Sequence, residues 1–251
     1  MRTRVKIVDS LIDHLSWSNS IDSIMEWSER RQSRTVCICN VHSVIAARSD
    51  VGLREAINES DLATPDGMPI AWLISKRQKA KQARINGLDL TMRLCEEAAQ
   101  KRIPVAFYGS SQQTLQNLQG VLAQRFPSLN VAAAVSPPFR PLSNDEDAAM
   151  VKVLNDSGAG IVFIGLGCPK QELWMAAHRG QVRAVMIGIG AAFDFLAGTV
   201  KRPPLWMQNA GLEWLGRLIA EPRRLWRRYF VTNSIFILYI LRELVGLNKS
   251  S

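Results

Sequence analysis

As far as residue 200, short apolar and β-branched runs alternate with longer stretches of helical period. That is the pattern of a parallel sheet covered by helices. The runs predicted as strands are residues 35–39, 61–63, 105–108, 131–135, 160–164 and 184–189. The helical stretches are 43–58, 89–101, 112–125, 145–156, 171–179 and 191–196. The expected class is α/β, a Rossmann-like, mostly parallel sheet flanked by helices. Three strands run into glycines at their C-terminal ends: Gly109, Gly165 with Gly167, and Gly188 with Gly190. At that edge of an open parallel sheet, glycine lets a ligand approach the backbone and the following helix offers free N–H groups.

After Arg202-Pro203-Pro204 the strand pattern stops, and tryptophans at 206, 214 and 226 are interleaved with arginines. Residues 1–200 are therefore expected to form an α/β catalytic domain, and 201–251 a helical C-terminal appendage. At 100° per residue, Arg223, Arg224, Arg227 and Arg228 share an arc of roughly 140°, with Leu225, Trp226, Tyr229 and Phe230 on the rest of the circle. From Ile235 to Leu241 the apolar residues surround the axis, which suits lipid or another subunit. A basic, tryptophan-bearing amphipathic helix binds membrane interfaces, each cation adding about 1 kcal/mol on an anionic leaflet. Packing on the protein's own domain is the alternative, and the two are compatible.

Composition sharpens this picture in one respect. The 251 residues carry a formal net charge of +9. Residues 201–251 hold nine basic and three acidic side chains, net +6, so most of the excess lies in the appendage. Such a charge suits nucleic acid, anionic lipid or an anionic small substrate. Cys37, Cys39, Cys95 and Cys168 are scattered, with Cys37 and Cys39 read as pointing to opposite faces of a strand, so neither zinc nor a disulfide framework is expected. The N-terminus has basic residues but no apolar segment of a secretory signal, which implies a cytosolic protein. The longest apolar stretch, 229–241, falls short of the roughly 20 residues that span a bilayer.

Candidate chemistry gathers in five segments. Thr64-Pro65-Asp66-Gly67 puts a carboxylate on a turn at a sheet edge, where it could take a proton from a hydroxyl. Spacing alone favours an ordinary Pro-Asp-Gly turn. Arg84 precedes a glycine turn in Arg84-Ile85-Asn86-Gly87-Leu88-Asp89, with Asp89 suited to capping the next helix. Gly165-Leu166-Gly167-Cys168-Pro169-Lys170-Gln171 lacks the third glycine of a dinucleotide fingerprint but retains a strand, a turn and a helix N-terminus able to hold an anion, with Gln171 expected to face the ligand. Gly188-Ile189-Gly190 repeats that geometry, and Asp194 either binds a ribose or uracil edge or sits in a first helical turn. Asp145-Glu146-Asp147 has the form of a metal-binding D-x-D but follows Pro-Leu-Ser-Asn, so it is read as a helix opening and no metal is assigned. His42, just after Asn40, is the one histidine placed to reach a ligand, with a solvated or capping role favoured over a catalytic one.

Together, Thr64-Pro-Asp-Gly-Met, Arg84-Ile-Asn-Gly-Leu-Asp, Pro169-Lys-Gln-Glu-Leu-Trp, Gly188-Ile-Gly-Ala-Ala-Phe-Asp and the block from Gly211 to Tyr229 resemble the WecG/TagA/CpsF glycosyltransferases in order and spacing. The resemblance implies transfer of a hexose from a UDP-sugar, with inversion and a β-linkage, to a polyprenyl diphosphate-linked acceptor in surface polysaccharide assembly. It implies work as a peripheral protein at the cytoplasmic face of the inner membrane, without a metal or other cofactor. It makes Asp66 the catalytic base and lines the pocket with Asn40, Arg84 and Gln171; the motifs themselves add Thr64, the four glycines at 165, 167, 188 and 190, and Asp194 as residues expected around the substrates. Arg217, Arg224 and Arg227 are expected over the diphosphate. Ile38 stands where some members carry a threonine, which favours glucose, as in xanthan-type exopolysaccharide clusters, over N-acetylmannosamine or its uronic acid. Oligomerisation stays open. A basic nucleic-acid-binding protein and a non-catalytic membrane scaffold are the alternatives; both leave the glycine turns and Thr64-Pro-Asp-Gly unexplained, and no nucleic-acid partner is expected.

Overall fold

The computed structural model describes residues 2–244, apart from the side chains of Asn209, Arg224 and Leu244. A hairpin of β1 (Thr3–Ile7) and β2 (Ser10–His14) leads into α1 (Trp17–Glu29), β3 (Arg34–Cys39), α2 (Val41–Ser49), α3 (Val51–Asn58) and β4 (Leu62–Pro65). Then follow α4 (Met68–Gln78), α5 (Gly87–Lys101), β5 (Val105–Gly109), α6 (Gln112–Arg125), β6 (Val131–Val135), α7 (Asn144–Asp156), β7 (Ile161–Gly165), α8 (Lys170–Ala177) and β8 (Val185–Gly188). Four helices close the described chain: α9 (Ala192–Leu196), α10 (Leu205–Asn209), α11 (Glu213–Ala220) and α12 (Pro222–Leu244).

Strands β3 to β8 form one six-stranded sheet in the order β4-β3-β8-β7-β5-β6, parallel at every pairing. The α/β class and all six strands of the sheet match the sequence pattern. Their continuous apolar runs reflect burial on both faces: Val105 to Tyr108 and Ile161 to Ile164 are fully buried. One core layer gathers Cys37, Ala106, Tyr108, Val162, Ile164 and Met186, and the other Val36, Phe107, Phe163, Val185 and Ile187. In the second layer Phe107 stacks on Phe163 at 5.2 Å and meets the edge of Phe193 at 5.8 Å.

Several details differ from the expectation. Cys37 and Cys39 enter the same core layer, because residues two apart on a strand share a face. The stretch 43–58 is two helices: Asp50 is extended and its side chain accepts from the Leu53 N–H at 3.0 Å, starting α3 afresh. Residues 3–14, 17–29 and 68–78, to which no element was assigned, form the hairpin, α1 and α4. The hairpin is bound to the body through buried Asp13, which accepts two 2.6 Å bonds from Arg2 and one of 2.7 Å from the Ala63 N–H on β4. Asn86, not Asp89, caps α5, its side chain accepting from Asp89 N at 2.9 Å. Asp145-Glu146-Asp147 does open α7, in a capping box of Ser143 with Glu146.

Beyond residue 200 the described residues contain helices only. The helix α12 lies against α2 and α11, and its far end is held by Arg77 of α4, which donates to Glu243 at 3.0 and 2.8 Å and to Tyr239 at 2.9 Å. Leu225 and Phe236 are buried beneath it, while Trp226, Phe230, Val231, Leu238 and Leu241 stay exposed. Among the described residues, no helix is long and apolar enough to cross a membrane.

At the sheet's C-terminal edge, β5 and β7 come together so closely that Gly109 (φ +119°) has no room for a side chain. An added Cβ would lie 2.7 Å from the carbonyl carbon and oxygen of Gly165. Gly109→Ala is expected to cost on the order of 2–4 kcal/mol, read as a lower urea midpoint at unchanged m-value.

Candidate active site

A cavity of about 820 Å³ opens over the C-terminal edge of the sheet, between the strand ends and α11 and α12. The onward connections of β5 and β7 run in opposite directions along the sheet, which opens a crevice at such an edge. Ser110 after β5 and Gly165 ending β7 both border the cavity.

Backbone stitching brings the first two motifs together. The Asp66 N–H donates to the Cys39 carbonyl at 2.8 Å, continuing the β3–β4 pairing by one residue. The Ile85 N–H donates to the Pro65 carbonyl at 2.8 Å, and the buried Thr64 hydroxyl donates to the Ile85 carbonyl at 3.3 Å. Thr64 thus fastens one motif to the other and is absent from the cavity wall. Gly67 (φ +86°) then turns the chain into α4. Asp66 and Arg84 both face the cavity as a result.

The Asp66 carboxyl is partly buried, and that burial pushes its pKa up from an ordinary 3.8 to about 6. Glu213 on α11 adds to the rise, while Arg84, Arg217 and the Gly67 backbone oppose it. Near neutral pH the group is a carboxylate whose pKa lies close to the ambient pH, a good match to a general base. His42, also on the wall, moves the other way: burial and the charge of Arg228 lower its pKa to about 4, so it is neutral here.

The glycine turns form the floor. Gln171 on α8 lies nearly buried, its Oε1 accepting from the Gly167 N–H at 3.2 Å and its Nε2 donating to Glu172 at 2.9 Å. A Cβ on Gly188 would stand 3.0 Å from Gln171 Nε2, and one on Gly165 2.7 Å from the Phe193 ring. The glycines thus leave room for Gln171 and Phe193. Asn40 caps α2 through a capping box with Ser43 and still borders the cavity.

Of the residues expected at the site, Asp66, Asn40, Arg84, Gln171, Gly165, Gly167, Gly188, Gly190, Asp194 and Arg217 all line this one cavity. Arg227 is exposed and lies off its wall, where Arg228 stands instead. The Arg224 side chain lies outside the described residues. Glu213, Trp214, Arg228 and Tyr229 of α11 and α12 also line the cavity and were not among the residues expected there. Their signal was the dense block from Gly211 to Tyr229. Among the described residues no group of three or more His, Cys, Asp or Glu side chains converges as metal ligands.

The model of the glycosyl transferase WecG/TagA/CpsF family matches residues 5–250. The chain belongs to that family. It is therefore a glycosyltransferase, with a sugar donor and an acceptor as its substrates, and the match runs through the sheet, the cavity and the C-terminal helices alike.

A raised carboxyl pKa in the folded state means that stability is greatest with Asp66 protonated and is lost as pH climbs from about 4 through about 6. In thermal melts, Asp66→Asn is expected to remove that component. The difference in Tm between variant and wild type should grow in the variant's favour across this window and level off above it.

Proposed function

We propose that this glycosyltransferase moves a hexose from a UDP-sugar to a polyprenyl diphosphate-linked saccharide, with inversion at the anomeric carbon and Asp66 as base. The observation that carries the reading is the pairing of a carboxylate of raised pKa with the cations Arg84 and Arg217 on one cavity wall. The acceptor hydroxyl oxygen attacks the anomeric carbon as the bond from that carbon to the UDP oxygen breaks. The electron pair of that bond leaves with UDP, and the hydroxyl proton passes to the Asp66 carboxylate. Arg84, Arg217 and Arg228 line the same cavity, and their charge would stabilise a departing diphosphate. These roles replace the nucleic-acid and scaffold alternatives as the basis for reading the site.

Glucose is the favoured sugar, since Ile38 on the cavity wall offers no hydroxyl to a substrate acetamido group. The exposed row Trp226, Phe230, Leu238 and Leu241, beside exposed Arg223 and Arg227, supports docking on an anionic leaflet at the cytoplasmic face. The division into a catalytic domain to residue 200 and a membrane-docking appendage after it belongs to the same reading.

A panel of UDP-sugars offered with a polyprenyl diphosphate-linked acceptor, read by mass analysis and by the anomeric coupling of the product, tests the transfer. Asp66→Asn is expected to lower kcat by about 10² to 10⁴ with donor binding retained, and wild-type kcat/KM to show an acid limb near 6. Near-normal transfer by Asp66→Asn would remove the base assignment. Co-sedimentation with phosphatidylglycerol vesicles is expected to fall at least severalfold for Trp226→Ser/Phe230→Ser; unchanged binding would count against docking through α12.

A further inference from the structure

Four charged residues from separate parts of the chain form an alternating row above the sheet edge. Asp89 of α5 accepts a two-pronged contact from Arg202, at 2.6 and 2.9 Å. Arg202 presents its Nε to Glu213 at 3.8 Å, and Glu213 in turn accepts a hydrogen bond from Arg84. Arg84 and Glu213 keep 13 and 22 % of their side-chain surface, so this pair is far less screened than a surface ion pair. Arg202 Nε is buried with no hydrogen-bond partner of its own, so its attraction to Glu213 is through charge alone. Two of these groups, Glu213 and Arg202, come from beyond residue 200; the other two come from the body of the α/β fold.

Resting on the reading of Asp66 as base, we propose that Glu213 is a positioning residue: it bridges Arg84 and Arg202, docks α11 over the sheet edge, and sets the charge balance around Asp66. Without the Glu213 carboxylate, Arg84 would have no anchor from α11 and would be free to turn towards the Asp66 carboxylate, on which its charge already acts. The base would then be neutralised by the cation meant for substrate. With Glu213 in place, Arg84 is shared, and α11 delivers Arg217 and Trp214 to the same wall as a consequence of the same contact. The charged groups acting on Asp66 are Arg84 from the body and Glu213 and Arg217 from α11, with Arg202 reaching it more weakly.

The test reads the Asp66 carboxyl directly, by ¹³C NMR titration of the full chain labelled at aspartate, with its resonance assigned by its loss in Asp66→Asn. Wild type is expected to titrate near 6, Glu213→Gln clearly lower, and Arg202→Gln no lower than wild type. In parallel, Glu213→Gln is expected to lose on the order of 10- to 100-fold in kcat/KM for the UDP-sugar that the donor panel identifies, with its acid limb moved the same way, and Glu213→Asp to recover part of both. An unchanged Asp66 titration and wild-type transfer in Glu213→Gln would overturn the proposal while leaving Asp66 as base. Transfer that survives Asp66→Asn would overturn the base reading alone, since the Glu213 effect on the carboxyl is observed without turnover. Should Glu213→Gln not fold, Glu213→Asp and Arg202→Gln carry the same titration, and identical values in both would count against it.

Discussion

Three backbone and side-chain bonds hold the reacting edge of this protein in register: Asp66 N–H to Cys39, Ile85 N–H to Pro65, and the Thr64 hydroxyl to Ile85. None uses a side chain that lines the cavity. Together they extend the β3–β4 pairing past the end of the sheet and lay the segment before α5 alongside it. The partly buried carboxylate at 66 and the guanidinium at 84 are neighbours for that reason. Desolvation then does the chemical tuning, because a carboxyl in that position is costly to ionise and becomes a stronger base than a solvated one.

The glycines serve a second constraint, the closeness of the layers below the cavity. Gly109 lies against the Gly165 backbone, Gly165 against the Phe193 ring, and Gly188 against Gln171. A side chain at any of the three would lift the floor away from the sheet. The glycine turns are thus a packing solution in their own right, and the carboxamide of Gln171 is engaged by Gly167 and Glu172.

The sheet was legible because its strands are buried on both faces and write themselves as apolar runs ending in glycine. The hairpin was not, since Arg4 and Asp13 on its strands and Arg2 just before them are polar residues that make sense only against Ser60, Asn58 and Ala63 about fifty residues on. Asp66, Arg84 and Gln171 could be named from local motifs. Glu213 could not, because its significance is a contact 129 residues away, and Arg202 has its own partner 113 residues away. The choice between Arg227 and Arg228 turns on a single 100° step around α12, finer than a helical arc drawn from sequence resolves.

The helix α12 has two working sides. Arg228, Asn233 and Phe236 border the cavity, while Phe230, Leu238 and Leu241 look outward. Its thickness, about 10 Å with side chains, is therefore a spacer built into the molecule. Any flat surface resting on the outward row lies roughly that far from the cavity, so a substrate tethered to such a surface needs only a short reach, and a long stalk between tether and reacting group would overshoot.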